Sequence, residues 1–491
     1  MEKCKPRLLK GFRDVFTQEY LARRWMIETI SKVYERYGFI PIETPSVEYV
    51  DVLGKYLPEC DKAQEGIFSF RDSDQSLVAL RYDLTAPLAR VVAQYKEIPR
   101  PLRRYQLGIV WRNEKPGLGR FREFYQLDMD IVGIASMQAD SEVCCIICDS
   151  MESLNILPGE YLVKVNNRKI LNGILEKAGI PPVAEDGSFT DRALITLRAI
   201  DKLDRMGMKG VIELLGKGRR DESGDFTQGA DLSPSQIQAL ESYLSIKGDR
   251  KTVCNDLWEL VKGSSMGEEG VKELQEMDQF FTFAGYPQEK ICFDPTIVRG
   301  LSYYTGPVFE TVLTIPYKDE KGNERDFGSV FSGGRYDGLV ARFLGEKVPA
   351  TGASIGLDRL LEAIKCYGKL KTPKATTQVL ITTMDKTLSQ EYHKMAFALR
   401  KAGINTEVYL GKGPLPKQLK YADYWDIPIA ILLGGDEFQN NQVTIKDLRK
   451  GRILSQEIQD REEWRKGQPA QITISRDNLL GCVQEMLQQK N

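Results

Sequence analysis

The chain has 491 residues, of which 42% are hydrophobic and 28% are charged, and its formal net charge at pH 7 is −1. A length of about 150 residues per domain predicts two or three domains. The near-zero net charge excludes a positive electrostatic field over the whole molecule, so a nucleic-acid partner would have to bind local basic patches. No apolar run approaches the ~18 residues of a membrane-spanning helix, and no membrane partner is expected.

The cysteine and histidine content predicts a cytoplasmic protein and argues against several kinds of catalytic and metal-binding site. The nine cysteines are mostly isolated, unlike a secreted disulfide framework, and the charged N-terminal segment lacks the apolar core of a signal peptide. Cys145 and Cys148 lie in an apolar stretch, which favours a buried helix face over a zinc or redox site. The single histidine, His393, falls in a predicted helix, which argues against Ser-His-Asp catalysis and multi-histidine metal sites. No metal-binding residues are predicted.

The predicted elements alternate between helical and β-rich regions. Residues 17–38 have the spacing of an amphipathic helix, and a short strand follows. Residues 80–132 show a β pattern. Residues 166–285 show repeated helical spacing, with a loose polar stretch at 217–229, and we interpret them as an insertion, since residues 290–365 return to strands and a final helix.

A polar, proline-containing stretch at 368–376 is the predicted linker between two domains. Beyond it, strand-like runs alternate with helical runs. This alternation is typical of a small mixed or parallel sheet with helices packed on it.

A predicted β-hairpin carries the strongest signal for chemistry. Strands at 102–112 and 120–131 flank a loop that contains a proline and two glycines. Because side chains alternate along a strand, the second strand has one apolar face and one polar face. The polar face consists of Arg122, Phe124, Gln126, Asp128 and Asp130.

Two observations favour a binding site over a solvated sheet face, which alone would explain this pattern equally well. Arg112 and Arg120 flank the loop, and the segment 81–85, predicted to be extended, places Asp83 and Thr85 on one side of a strand. The chain lacks the GxxxxGK[ST] loop and the third glycine of a dinucleotide fingerprint. If it binds a nucleotide, arginines must clamp the phosphates, since a guanidinium stays charged and donates two parallel hydrogen bonds.

These residues resemble the motifs of class II aminoacyl-tRNA synthetases. Residues 112–114 and 119–124 resemble motif 2, and residues 352–360 are similar to motif 3, a strand leading into a helix that carries an arginine. Residues 37–45 resemble motif 1, which is usually a dimer-interface element. The three motifs occur in the order of that class.

Other segments narrow the resemblance to histidyl-tRNA synthetases. Residues 298–306 and 333–337 are similar to two signatures of that family, and so is the segment 83–85. Residues 417–423 and 433–437 resemble its C-terminal anticodon-binding domain. The resemblance covers nearly the whole chain and is weakest in the helical insertion.

This resemblance implies a fold and an activity. The fold would be a class II α+β catalytic domain with an antiparallel sheet over 1–370, a helical insertion at about 166–285, and an α/β anticodon-binding domain over 377–491. The activity would be that of a histidine–tRNA ligase, which forms histidyl-adenylate from histidine and ATP, with Mg²⁺ accompanying ATP, and transfers histidine to its tRNA as a cytoplasmic homodimer. The alternative is an inactive paralogue with a regulatory or tRNA-sensing role. A class I enzyme is disfavoured, because its HIGH signature needs two histidines.

The resemblance implies that polar side chains surround the substrate amino acid. Three are expected around its α-ammonium group: Asp83, Thr85 and Gln126. Three are expected to contact the imidazole ring: Asp130, Tyr303 and Tyr304. An acid with neutral acceptors suits a buried cation, and a carboxylate with phenols can pair both ring nitrogens.

The resemblance also implies a set of ATP contacts. Arg112 is expected at the α-phosphate, Glu114 near the adenine amino group and Arg359 at the γ-phosphate, with Arg120 in the same set. Arg299 is expected to meet the α-phosphate and the substrate carboxylate, so the catalytic candidates are Arg112, Arg299 and Arg359. The attacking carboxylate is already ionised, and the reaction therefore needs positioning and charge neutralisation rather than a histidine base.

Two positions depart from the family pattern. Ser302 stands where an acid is usual, and Gly117-Leu118 replace a more polar or basic pair in the motif 2 loop. We hypothesise that this loop reads the extra 5′ nucleotide of histidine tRNA differently. Basic candidates for tRNA contact are Lys217, Arg219, Arg220, Lys412, Lys417, Arg449 and Arg452, although a solvated charge is the simpler explanation for each.

Overall fold

The computed structural model describes residues 4–53, 66–182, 190–220, 224–300, 304–318, 322–370, 372–457 and 470–488. Contacts divide the chain into two compact units. The first consists of Met1–Asp14 and Arg23–Leu370, and the second of Val15–Ala22 and Lys371–Asn491. No helix in the described part has both the length and the apolar character that a membrane crossing requires.

The elements up to residue 366 are numbered in chain order. Strands β1 to β15 are Ile40–Pro41, Val47–Tyr49, Ser69–Arg71, Leu77–Leu80, Leu102–Trp111, Glu123–Val132, Tyr161–Asn167, Gly218–Arg220, Phe226–Gln228, Ile291–Phe293, Pro307–Leu313, Tyr317–Lys318, Glu324–Arg325, Ser329–Arg335 and Ala350–Gly356. Helices α1 to α12 are Thr17–Arg36, Val50–Leu53, Thr85–Gln94, Met137–Ser153, Arg168–Lys177, Asp191–Ile200, Leu203–Leu215, Pro234–Leu244, Arg250–Val261, Ser265–Phe283, Ala341–Leu344 and Leu357–Cys366.

Eight of these strands form the central sheet, in the order β1-β5-β6-β15-β14-β11-β7-β10. Neighbouring strands are antiparallel except at the two edges, where β1 pairs with β5 and β10 pairs with β7 in parallel. Helix α4 packs against four strands of this sheet, and its Cys145 and Cys148 are 3% and 0% exposed. The predicted antiparallel α+β architecture is confirmed, and so is the buried helix face.

The region 166–285 is mainly helical, as predicted, and contains α5 to α10. Helix α8 begins with a capping box, in which the Ser233 hydroxyl accepts from the Gln236 amide and the Gln236 side chain accepts from the Ser233 amide. The prediction of a loose stretch at 217–229 is wrong in part, because β8 and β9 form a short antiparallel pair there. Polar composition does not reveal pairing between two such short segments.

The prediction of an extended segment at 81–85 is wrong. Helix α3 begins at Thr85, and the Asp83 Oδ1 accepts a hydrogen bond of 3.0 Å from the amide of Ala86. Amides of a first helical turn have no partner within the helix, so an acid just before the turn stabilises it. The polarity of this segment reflects a helix start rather than one side of a strand.

The second unit has its own five-stranded sheet. Strands β16 to β20 are Val379–Ile381, Thr406–Val408, Ile429–Leu432, Gln442–Asp447 and Gln471–Ser475, and helices α13 to α17 are Ser389–Lys401, Leu415–Tyr424, Gly435–Gln439, Leu448–Glu457 and Leu479–Gln488. The order is β17-β16-β18-β19-β20, with β16 parallel to its two neighbours and the other pairs antiparallel. The predicted mixed sheet is confirmed, and His393 lies in α13, as predicted.

Candidate active site

The predicted hairpin is present as β5 and β6, which pair from Leu102 opposite Val132 to Trp111 opposite Glu123. Gly119 in the connecting loop has φ 64°, a conformation that favours glycine. A Cβ there would also lie 3.4 Å from the Cγ of Arg359. The loop therefore comes close to the arginine of the motif 3 segment.

The polar face of β6 is buried rather than solvated. Gln126, Asp128 and Asp130 are 7%, 2% and 2% exposed. The next strand, β15, places Gly352 opposite Asp130 and Ser354 opposite Asp128, and Gln126 donates a hydrogen bond of 2.7 Å to the Ser354 hydroxyl. Polar groups buried at this density need partners or a ligand, so the solvated-face explanation is excluded.

Six residues singled out in the sequence line one pocket. They are Arg112, Glu114, Arg120, Gln126, Arg299 and Arg359. The pocket has a cavity volume of about 260 Å³ and opens to solvent, and this volume is close to the lower end of the ~300–1,000 Å³ typical of small-molecule sites. With Lys115, the described lining residues include five basic side chains and one acidic side chain. The pocket is therefore suited to a polyanion.

Aromatic rings hold the first arginine of the pocket in place, and one of these rings also binds Glu114. The Arg112 guanidinium lies 4.4 Å from the ring centre of Tyr82 and 5.3 Å from that of Phe124. The Tyr82 hydroxyl donates a hydrogen bond of 2.7 Å to Glu114. Burial raises the pKa of Tyr82, so this hydroxyl stays protonated and acts as a donor. The contacts fix Arg112 and Glu114 on one wall.

The other two catalytic candidates are held by a carbonyl and a buried acid. Arg359 donates a hydrogen bond of 2.8 Å to the carbonyl of Phe327. Burial lowers its pKa to about 10, and the nearby guanidiniums of Arg120 and Arg299 act in the same direction. The Nη2 of Arg299 lies 2.9 Å from Oε1 of Glu310, whose side chain is 3% exposed. The repulsion between these cations would be relieved by an anion bound among them.

Asp130 and Tyr304, two of the three residues expected around the imidazole ring, belong to a second, deeper cluster. Asp130 accepts a hydrogen bond from the Tyr336 hydroxyl, and its Oδ2 lies 2.6 Å from Nη2 of Arg104. Burial raises the pKa of Tyr304, and the charges of Asp130, Asp128 and Asp83 act in the same direction. Asp83, Asp130 and Tyr304 thus share one electrostatic environment.

Two predicted residues are not joined to this cluster by the described contacts. Thr85 is the first residue of α3, and Tyr303 lies outside the described residues, as does Ser302. Arg104, Tyr336 and Glu310 were not predicted to belong to the site. Strand alternation on β5 could have placed Arg104 on the polar face, but no local signal marks the long-range pairs of the other two.

Comparisons with known proteins agree with this geometry. A family model described as histidyl-tRNA synthetase matches residues 11–360, and a model described as anticodon binding domain matches residues 378–486. The chain belongs to the histidyl-tRNA synthetase family. A histidine–tRNA ligase of Cereibacter sphaeroides is 48% identical over 484 residues, which cover 97% of each chain.

Other histidyl-tRNA synthetases extend the match. The histidine–tRNA ligase of Brucella ovis is 48% identical over 491 residues, which cover 99% of this chain and 97% of the relative. The crystal structure of histidyl-tRNA synthetase from a Nostoc species has a TM-score of 0.76 and 30% identity, and the match covers 98% of this chain and 100% of that chain. The histidyl-tRNA synthetase fold, which consists of a class II catalytic domain and an anticodon-binding domain, therefore accounts for both units.

The basic candidates for tRNA contact differ in their surroundings. Arg219 lies 3.3 Å from Glu213, Arg449 donates to the carbonyl of Met486, and Arg452 pairs with Asp426. Arginines bound to their own chain are less available to phosphates. Two exposed lysines of the matched anticodon-binding segment, Lys412 and Lys417, are better placed for such contacts.

Proposed function

We propose that this chain is a histidine–tRNA ligase in which the pocket between β6, β15 and the motif 2 loop binds ATP and the deeper cluster binds histidine. The observation that carries the proposal is the convergence of Arg112, Arg299 and Arg359 on one pocket beside the buried Asp130. Histidine would thereby meet the nucleotide at the boundary between a cationic cavity and an acid-and-phenol cluster.

In this proposal, activation is the attack of the histidine carboxylate on the α-phosphorus of ATP, with pyrophosphate as the leaving group. Arg112 and Arg299 would neutralise the α-phosphate and orient the carboxylate, while Arg359 would bind the γ-phosphate. Glu114, fixed by Tyr82, would accept from the adenine amino group, and Arg120 would add positive charge beside the phosphates. The nucleophile is ionised at neutral pH, so no general base is needed.

The α-ammonium group of histidine is assigned to Gln126 and Asp83, with Thr85 beside them at the start of α3. The Gln126 side chain donates to Ser354 through its amide nitrogen, so its carbonyl oxygen can accept from an ammonium. Asp130 and Tyr304, with Tyr303, are assigned to the imidazole ring. A pocket of this kind rejects apolar analogues, because its own polar groups would lose their partners.

The pocket fits a Mg²⁺ ion that arrives with ATP rather than one held by the protein alone. Among the described residues, no group of three or more His, Cys, Asp or Glu side chains could hold a metal ion, and the carboxylate of Glu310 at the pocket wall is paired with Arg299. Mg²⁺ usually keeps several waters and substrate phosphate ligands, and when bound it would neutralise charge on the phosphate oxygens.

The tRNA, dimer and localisation assignments have separate support. The second unit matches the anticodon-binding model, so we assign it to the tRNA anticodon region. Three apolar side chains at and near the edge strand β1 are exposed, namely Ile40, Val47 and Tyr49, at 53%, 40% and 55%. They lie within and beside the motif 1 segment, and exposed apolar side chains of this kind suit a homodimer interface. The isolated cysteines suit a reducing cytoplasm.

The proposal is tested by ATP–pyrophosphate exchange with each of the common amino acids, followed by aminoacylation of histidine tRNA. Exchange should depend on histidine alone. Arg299→Ala should reduce it by about a hundredfold or more, because a preorganised cation is removed from the developing charge. Arg24→Ala is the control, since that arginine is 59% exposed in a surface pair worth little energy. An absence of histidine-dependent exchange in the wild type would instead favour the inactive paralogue.

A further inference from the structure

A buried arginine stands directly behind the carboxylate that is assigned to the imidazole ring. Arg104 lies on β5 opposite Asp130 and is 0% exposed. Its Nη2 lies 2.6 Å from Oδ2 of Asp130 and donates a hydrogen bond of 3.1 Å to the carbonyl of Leu84, while Nη1 donates to Gln106 at 3.4 Å. The pair therefore places the positive charge of a guanidinium beside this acid.

The charged and titratable groups around Asp130 come from several elements. They are Arg104 on β5, Asp128 on β6, Asp83 before α3, Tyr34 on α1, Tyr304 before β11 and Tyr336 after β14. Of these six described groups around Asp130, one is a cation, two are carboxyl groups and three are phenols. Burial raises the pKa of Asp130 and the charge of Arg104 opposes that rise.

We infer that Arg104 is a positioning residue for substrate specificity: it holds the Asp130 side chain as an acceptor-only carboxylate, so that the pocket takes only a ring that presents an N–H group there. The inference rests on the proposed function, and it identifies the residue that makes the site selective for the imidazole ring. An ionised carboxylate offers acceptors alone, whereas a protonated carboxyl also offers a donor.

A thiazole ring separates these two states of Asp130. β-(Thiazol-4-yl)alanine is close to histidine in size, but its ring nitrogen is an acceptor and the ring has no N–H group. An ionised Asp130 should repel that ring. A protonated Asp130 could donate a hydrogen bond to the thiazole nitrogen and admit it.

The experiment measures ATP–pyrophosphate exchange between pH 7 and 9, where free histidine has a mostly neutral ring. The readout is kcat/KM for histidine divided by kcat/KM for thiazolylalanine. In the wild type this ratio should be high and independent of pH. In Arg104→Met, only the Tyr336 hydrogen bond would still oppose the effect of burial on the pKa of Asp130, so a larger fraction of the carboxyl would be protonated. The ratio should therefore fall about tenfold or more at pH 7 and recover as the pH rises.

Further variants separate specificity from folding. Arg104→Lys keeps the charge and should keep a high ratio, while Asp130→Asn carries an amide donor and should show a low ratio at every pH. Arg104→Gln is a second neutral variant that retains N–H donors for the carbonyl of Leu84. Circular dichroism and the unfolding midpoint identify any variant that does not fold.

Each outcome bears on one claim. If Arg104→Met or Arg104→Gln lowers kcat/KM for both substrates by the same factor, Arg104 is only structural and the inference is wrong. A wild-type ratio that rises with pH also overturns it, and this measurement needs no variant. If the wild type shows no histidine-dependent exchange, the proposed function itself is wrong. If the wild type is active but the ratio is unchanged in Asp130→Asn, only the role of Asp130 and the inference built on it are wrong.

Discussion

The substitution Gly352→Ala tests how the site is built, because Gly352 leaves the space that Asp130 occupies. A Cβ at this position would lie 2.7 Å from Cγ of Asp130 and 2.5 Å from the carbonyl oxygen of Met129, and it would be nearer still to the Asp130 Oδ1. Contacts under 3.0 Å are essentially never seen for a real Cβ. The carboxylate cannot simply move away, since Arg104 and Tyr336 bind it.

Two quantities follow from this geometry. Overpacking a close-packed core costs about 1–3 kcal/mol, so the free energy of unfolding should fall by that amount. If the strain is relieved by displacement of Asp130, KM for histidine should rise by roughly tenfold to two-hundredfold, the equivalent of 1–3 kcal/mol of ring recognition. KM for ATP should change by less than about twofold, since the arginines of the nucleotide pocket do not contact this carboxylate.

Urea unfolding and ATP–pyrophosphate exchange with varied histidine or ATP measure both quantities. Gly338→Ala is the matched control: nothing lies within 4 Å of a Cβ at that position, so neither stability nor either KM should change. An unchanged KM for histidine in Gly352→Ala would refute the assignment of Asp130 to the ring. Equal rises in both KM values would show a general distortion of the sheet instead.

Two further predictions concern stability. Burial raises the pKa of Asp128 to about 7. The ordinary pKa of this carboxyl is 3.8, so the folded state holds its proton more tightly than the unfolded state does. The contribution of Asp128 to stability is therefore complete below pH about 4 and is lost as the pH rises through 7. Asp128→Asn should therefore be more stable than the wild type at pH 8, with a smaller decline between pH 5 and 8 in urea unfolding; parallel pH profiles would contradict this. Ser233→Ala removes the cap of α8 and should lower the unfolding free energy by about 1 kcal/mol. Ser242→Ala, at an exposed position of the same helix, should not lower it, and equal losses in the two variants would count against the capping box.

Local patterns accounted for a large part of the architecture. The loop residues at 113–119 and the alternation on the following strand predicted the hairpin and its polar face, because turn chemistry and a two-residue period are local properties of the chain. The alternating second unit was visible for the same reason. The segment 81–85 was misread, since short polar segments have the same pattern before a helix as on a strand.

The sequence by itself determined the order of the elements, the family, and which side chains on β6 share a face, since these depend on residues that are near neighbours along the chain. Only the tertiary structure decided that this face is buried, that Arg299 pairs with Glu310, and that Arg104 stands behind Asp130. Burial and ion pairing depend on residues from distant strands, whose register no local pattern specifies. The charge state of Asp130 follows from that packing, because desolvation and a neighbouring cation act on it in opposite directions.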